Sequence, residues 1–128
     1  SDVYKRQTML SDPDEHSLSM GKPRDLAHAA TMLLRLSGRL HQVWSATAVR
    51  WNGVWHRWCE SAVVSIPELT ADQMDALLTS NSWVGKAGGY DLAGPMGEHA
   101  RLVEGDESTV LGIAGGAMEF LEVLASTV

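Results

Sequence analysis

The apolar positions of the chain change period several times, and each change marks an element. Leu26, Ala29, Ala30, Leu33 and Leu36 recur at helical spacing and predict a helix from about Pro23 or Arg24 to Ser37. Pro23 suits a first helical turn, where its missing N–H has no partner to lose, and Gly38 supplies a left-handed stop. Leu40 to Arg50 and Val54 to Ile66 are rich in Val, Trp and Thr and read as two strands. Asn52-Gly53 between them signals a tight hairpin, because both turn positions require positive φ. Pro67 then ends the second ladder.

A second helix is expected from Thr70, where Thr70 and Gln73 have capping-box spacing and Leu69 and Met74 stand at staple positions. Met74, Leu77 and Leu78 form its apolar face, and Asn81 can stop it. Residues 84 to 97 form a glycine-rich connection, His99 to Val103 a strand, and Ala117 to Ala125 a closing helix with Met118, Leu121 and Leu124 inward. At the other end, Thr8-Met9-Leu10 reads as a strand stub entering a polar stretch with a turn signal at Asp12-Pro13-Asp14. Residues 1 to 7 have no periodicity and no start methionine, and are set outside the fold as a non-native leader. Strands interleaved with helices predict an α/β or α+β domain.

Composition narrows the function classes. A length of 128 residues fits one domain with a modest core, and 45% hydrophobic with 20% charged residues is the balance of a soluble globular protein. A net charge of −6 without a basic stripe argues against polymeric DNA or RNA as a partner, while a small phosphorylated ligand needs only a few placed lysines. No apolar run approaches the roughly 20 residues of a membrane span, so no membrane partner is expected. The single cysteine, Cys59, fits a reducing compartment, and a cytoplasmic location follows as the expectation.

Metal and nucleophile signals are weak. His16, His28, His41, His56 and His99 form no ligand-spaced pair, Cys59 has no CxxC partner, and there is no G-x-S-x-G elbow. Trp44, Trp51, Trp55 and Trp58 could stack on bases, yet Trp51 and Trp55 flank the hairpin turn, and packing is the better reading. Two lysines are more suggestive. Lys22 lies between Gly21 and Pro23 at the mouth of the first helix, where N–H groups favour an anion. Lys86 precedes Ala87-Gly88-Gly89-Tyr90, whose glycines allow close backbone approach.

Read in order, Gly21-Lys22-Pro23-Arg24-Asp25, Leu36-Ser37-Gly38-Arg39-Leu40-His41-Gln42-Val43, Lys86-Ala87-Gly88-Gly89-Tyr90 and Glu104-Gly105-Asp106-Glu107-Ser108-Thr109-Val110-Leu111-Gly112 resemble the C-terminal part of the Maf family. The likeness covers about residues 8 to 128, as the C-terminal portion of a single domain. It implies a mixed sheet with flanking helices, related to the inosine triphosphate pyrophosphatases. It also implies hydrolysis of a nucleoside triphosphate to the monophosphate and pyrophosphate, with a divalent cation (Mg or Mn) and a carboxylate activating water. On this resemblance Lys22 and Lys86 contact phosphates, Gly88 and Gly89 shape the pocket, Tyr90 supports it, and a homodimer is possible.

The Lys-Ala-Gly-Gly-Tyr form looks like the dTTP/UTP branch rather than the 7-methyl-GTP branch. Ala93 stands where that branch usually carries glutamine, Thr109 where asparagine is common, and Ala114 where proline is. The family's opening serine- and arginine-bearing loop has no counterpart in the chain, and its catalytic aspartate, which precedes a threonine, aligns with Gln7 before Thr8. A glutamine cannot act as general base or charged metal ligand, so the expectation is a truncated polypeptide without activity. The alternatives are a non-catalytic nucleotide-binding or septation-linked module, and a fragment with an uncovered sheet edge that does not fold stably.

Overall fold

The computed structural model describes residues 4–12 and 19–126. Its strands are β1 (Tyr4–Ser11), β2 (Ser19–Met20), β3 (Leu40–Trp51), β4 (Val54–Ser65) and β5 (Arg101–Glu104). Its α-helices are α1 (Leu26–Leu36), α2 (Ala71–Thr79), α3 (Glu107–Leu111) and α4 (Gly115–Ser126), with short 3₁₀ turns at Ala87–Gly89 and Pro95–Glu98. The sheet order is β2-β1-β3-β4-β5. The expected sheet with flanking helices is present, and every pairing among the described strands is antiparallel.

The β3–β4 hairpin is the frame of the molecule. Its register runs from Leu40 opposite Ser65 to Trp51 opposite Val54 without a break. Asn52 (φ 52°) and Gly53 (φ 74°) make the turn, as the dipeptide predicts. Along β3, His41, Val43, Ser45, Thr47 and Val49 are buried while Leu40, Trp44, Ala46 and Arg50 are exposed. That strict alternation says the sheet is covered on one face and open on the other. The register sets Trp55 opposite Arg50, so Trp51 and Trp55 are not directly paired. The tryptophans have local duties instead. Trp44 Nε1 donates to Ser11 Oγ at 3.1 Å, and the Trp58 ring tilts against Phe120 of α4 with centroids 5.3 Å apart.

Tyr4 to Gln7, which patterning set outside the fold, lie in β1 and pair with Val49 to Ala46 of β3. The polar, half-exposed side chains of an end strand carry no periodic signal, and so the strand escaped notice. β2 pairs only with Leu10 and Ser11 of β1. No described strand therefore pairs with the outer edge of β1 from Tyr4 to Met9. The turn expected at Asp12-Pro13-Asp14 lies, beyond Asp12, outside the described residues. Asp12 itself is buried and ion-paired with Arg35 of α1.

Helix α1 starts later than expected. Asp25 is the N-cap, and its carboxylate accepts from the His28 N–H at 2.8 Å. A side chain that satisfies an orphan amide fixes a start more firmly than a proline that merely tolerates one. Ala29, Met32, Leu33 and Leu36 face the sheet, whereas Leu26 in the first turn is 52% exposed. Helix α2 carries the expected capping box: Gln73 N–H donates to Thr70 Oγ1 at 3.1 Å, and Thr70 N–H donates to Gln73 Oε1 at 2.9 Å. Asn81 (φ 59°) follows its end. The core gathers Leu10, Met32, Leu33, Leu36, Val43, Val64 and Ile66 between α1 and the sheet, with Leu77, Tyr90 and Met96 at its flank.

Strand β5 begins at Arg101 rather than His99, because His99 and Ala100 N–H both bond to the Met96 carbonyl and close a 3₁₀ turn. Helix α3 was not expected: five residues are too few to show a period, and Thr109 and Val110 are β-branched. Helix α4 starts at Gly115, two residues before the expected Ala117, because Glu60 on β4 accepts from both the Gly115 and Gly116 N–H groups. A carboxylate supplied from another strand leaves no trace in the local sequence.

Candidate functional site

A cavity of about 450 Å³ opens where β1, the segment before α1, the 84–92 loop and the end of α3 meet. Lys22 and Lys86 both line it, although they lie far apart along the chain. The junction that joins them is main-chain: Gly88 N–H donates to the Gly21 carbonyl at 3.0 Å. Gly88 (φ 73°) and Gly89 (φ 81°) take left-handed conformations that L side chains avoid. A Cβ at Gly88 would collide with the Leu10 side chain, whereas one at Gly89 would meet Ala29 only in ordinary contact, so there the positive φ alone calls for glycine. Both glycines are buried and stand behind the cavity wall rather than at its surface, while Gly21, Gly85 and Gly112 line it.

Lys22 lies three residues before Asp25, the N-cap of α1, which already occupies the helix N-terminus with its own carboxylate. The dipole argument for an anion at Lys22 therefore does not carry; its position on the cavity wall does. Lys86 Nζ lies 3.6 Å from Asp91 Oδ2, and both side chains are partly exposed. Such a pair stabilises the fold by well under 1 kcal/mol, so the lysine is not committed to a structural role. Arg6 adds a third cationic side chain to the lining, next to Gln7 and Thr8. Sequence patterning missed Arg6 and Asp91; a lone exposed charge in an aperiodic segment carries no signal.

Tyr90 lines the cavity with 6% exposure, and its Oη lies 2.7 Å from Nε2 of buried His41. The rings meet edge-on, 5.6 Å between centroids. Burial lowers the His41 pKa to about 4 and raises that of Tyr90, so both groups are neutral at physiological pH. His41, grouped by sequence with scattered histidines, is thus an interior partner of Tyr90. On the β1 side, Thr8 Oγ1 lies 3.3 Å from Ser45 Oγ, which donates to the Thr109 carbonyl at 2.7 Å. Ala93 is exposed outside the lining, its N–H bonded to Asp91 Oδ1 at 3.0 Å. Thr109 and Ala114 are buried, and Ala114 N–H donates to Thr47 Oγ1 at 3.1 Å.

No group of three or more His, Cys, Asp or Glu able to hold a metal ion occurs among the described residues. In the cavity wall the only carboxylate among them is Asp91, and it faces Lys86. That donor set does not fit a cation caged by protein alone; it leaves room only for one that keeps waters or brings phosphate oxygens with it. No helix among the described residues is long and apolar enough to cross a membrane.

Residues 7–125 match the family model described as Maf-like protein. The chain is 38% identical over 95 residues to a protein of Ruegeria sp. (strain TM1040) named dTTP/UTP pyrophosphatase, an alignment that covers 73% of this chain and 49% of that protein. It is 38% identical over 97 residues to one of the same name from Roseobacter denitrificans (strain ATCC 33942 / OCh 114), covering 73% and 50%. A third, from Bacillus velezensis (strain DSM 23117 / BGSC 10A6 / LMG 26770 / FZB42), is 32% identical over 94 residues, covering 73% and 50%. The chain spans about half the length of the curated relatives it matches. With a family model matched over nearly all of its residues, the chain belongs to the Maf family.

Proposed function

We propose that this chain contributes the phosphate-holding wall of a nucleoside triphosphate pyrophosphatase, which releases a nucleoside monophosphate and pyrophosphate from a substrate of the dTTP/UTP type. The observation that carries the reading is the shared cavity of Lys22 and Lys86. Two ammonium groups on one hollow suit a polyanion, and they can offset charge that builds on the bridging oxygen as a phosphoanhydride breaks. The name that these relatives carry, dTTP/UTP pyrophosphatase, supports the same substrate class. Gly88 and Gly89 act by holding the two lysine segments together, and Tyr90, anchored by His41, keeps the wall rigid.

A divalent cation, Mg or Mn, enters this reading as the counter-ion of the nucleotide, since the wall offers no cage for a resident ion. Gln7 is the residue to watch. Its amide cannot take a proton from water, and the 128-residue chain is expected to release no pyrophosphate from dTTP or UTP above a Lys22→Ala, Lys86→Ala control. The reading itself is tested by binding: calorimetric titration with inorganic tripolyphosphate should give saturable binding that the double lysine variant loses. Unaltered binding in that variant would count decisively against it.

Gln7 also favours a second reading, a module that binds nucleotide without cleaving it. The two readings part when Gln7→Asp is assayed within a polypeptide of the relatives' full length. Turnover with aspartate and none with glutamine supports the enzyme; none with either supports the binding module. A cytoplasmic location and a homodimer accord with both.

A further inference from the structure

The hydrogen-bonding groups of the cavity can be sorted by direction: besides the Asp91 carboxylate, which is paired with Lys86, one hydroxyl faces the opposite way from the lysines. Ser45 Oγ lies 2.7 Å from the Thr109 carbonyl oxygen. A carbonyl only accepts, so the single hydrogen of Ser45 is spent there. Thr8 Oγ1 lies 3.3 Å from the same Ser45 oxygen, and with that hydrogen committed the contact is made by Thr8 donating. A hydroxyl has one hydrogen and two lone pairs. Thr8 therefore meets the cavity as an acceptor only.

The surroundings hold this polarity in place. Ser45 is fully buried on β3, so no water competes for its hydrogen. On the far side of Thr8, Gly112 keeps the oxygen uncovered: a Cβ there would stand 3.2 Å from Oγ1. Thr8 and Gly112 both line the cavity. Phosphate oxygens are acceptors too, and lone pairs set against lone pairs repel. Lysine ammonium groups, by contrast, only donate. The wall thus carries two kinds of site, the Thr8 oxygen for a donor and the cations Lys22, Lys86 and, beside Thr8, Arg6 for acceptors.

Resting on the nucleotide reading above, we infer that Thr8 receives a hydrogen-bond donor of the nucleoside, either the imide N–H of the base or a sugar hydroxyl. This sets the nucleoside end of the ligand at β1 and leaves the phosphates to Lys22 and Lys86. Ser45 is the positioning residue, because it decides which way the Thr8 hydrogen points.

The test uses the 128-residue chain and four probes in calorimetric titrations: UTP, 3-methyl-UTP, 2′,3′-dideoxy-UTP and inorganic tripolyphosphate. The native chain is expected to prefer UTP over one of the two blocked analogues by about 2- to 13-fold, the worth of a net hydrogen bond. Thr8→Val should erase that preference and leave tripolyphosphate binding as it was. Ser45→Ala frees the Thr8 hydrogen but leaves the buried Thr109 carbonyl without its donor, so the melting temperature should fall; in the folded protein the preference should shrink while tripolyphosphate affinity holds, a split between probes that lost packing alone would not give. The inference is overturned if Thr8→Val weakens tripolyphosphate as much as UTP, if the preference survives Thr8→Val, or if the native chain does not discriminate. Lys22→Ala with Lys86→Ala is a separate arm: unchanged tripolyphosphate binding there overturns the phosphate-wall reading, while Thr8 is still judged by the analogues.

Discussion

His41 and Tyr90 illustrate how far a residue's role depends on what covers it. Burial keeps the folded imidazole neutral down to about pH 4, whereas in an unfolded chain it takes up a proton near 6.5. Acidification through that window loads the proton onto the unfolded chain alone, so stability falls as pH drops from about 6.5 towards 4. The loss from this one group is on the order of 3 kcal/mol. A His41→Gln variant, which does not titrate, should show a flatter change in urea midpoint between pH 7 and 5; an equally steep change would show that other groups carry the acid sensitivity. The lysines behave differently. Lys86→Ala should leave the urea midpoint nearly unchanged, because its Asp91 pair is partly exposed, and should weaken tripolyphosphate binding by about 10-fold or more, as for a charge-assisted hydrogen bond. Both lysines were readable in the sequence because each sits beside glycines in a short motif. His41 and Ser45 were not, since their partners arrive from other elements, and Asp91 was not, because a single charge in an aperiodic loop carries no pattern.

Among elements, the hairpin and α2 were readable to within a residue or two because their signals are local. Asn52-Gly53 fixes a turn, and Thr70 with Gln73 fixes a start. The elements that shifted answer to distant partners. Glu60 draws the start of α4 to Gly115, and Met96 delays β5 to Arg101. Glu60→Ala should therefore cost about 1–2 kcal/mol of stability, the worth of a cap, and expose α4 first in hydrogen exchange. Uniform exchange along α4 and β4 would contradict that. Gly88→Ala is expected to do more damage than an ordinary loop substitution, since φ is 73° and Leu10 occupies the space a Cβ needs. Strain and displacement of a core leucine together should cost about 2–4 kcal/mol and move Lys22 relative to Lys86, read as a lower melting temperature and weaker tripolyphosphate binding.

For the whole molecule, the sheet-with-helices architecture followed from interleaved periods, while the position of the cavity did not, because it needs the meeting of four separate segments. A net charge of −6 surrounds a hollow lined by Arg6, Lys22 and Lys86. Binding of a polyanion should weaken steadily as salt rises, since exposed charges are screened over roughly 10 Å at 0.1 M. An affinity insensitive to salt would mean that the cations do not govern binding.

One wall of that hollow is formed by consecutive residues of β1, from Arg6 to Leu10, along the edge that no described strand covers up to Met9. Peptide amides and carbonyls are the same whatever residue bears them. On the proposed reading, a ligand lying along that side would meet the strand's own peptide groups, so sequence change there can retune shape and charge while that polar rail persists.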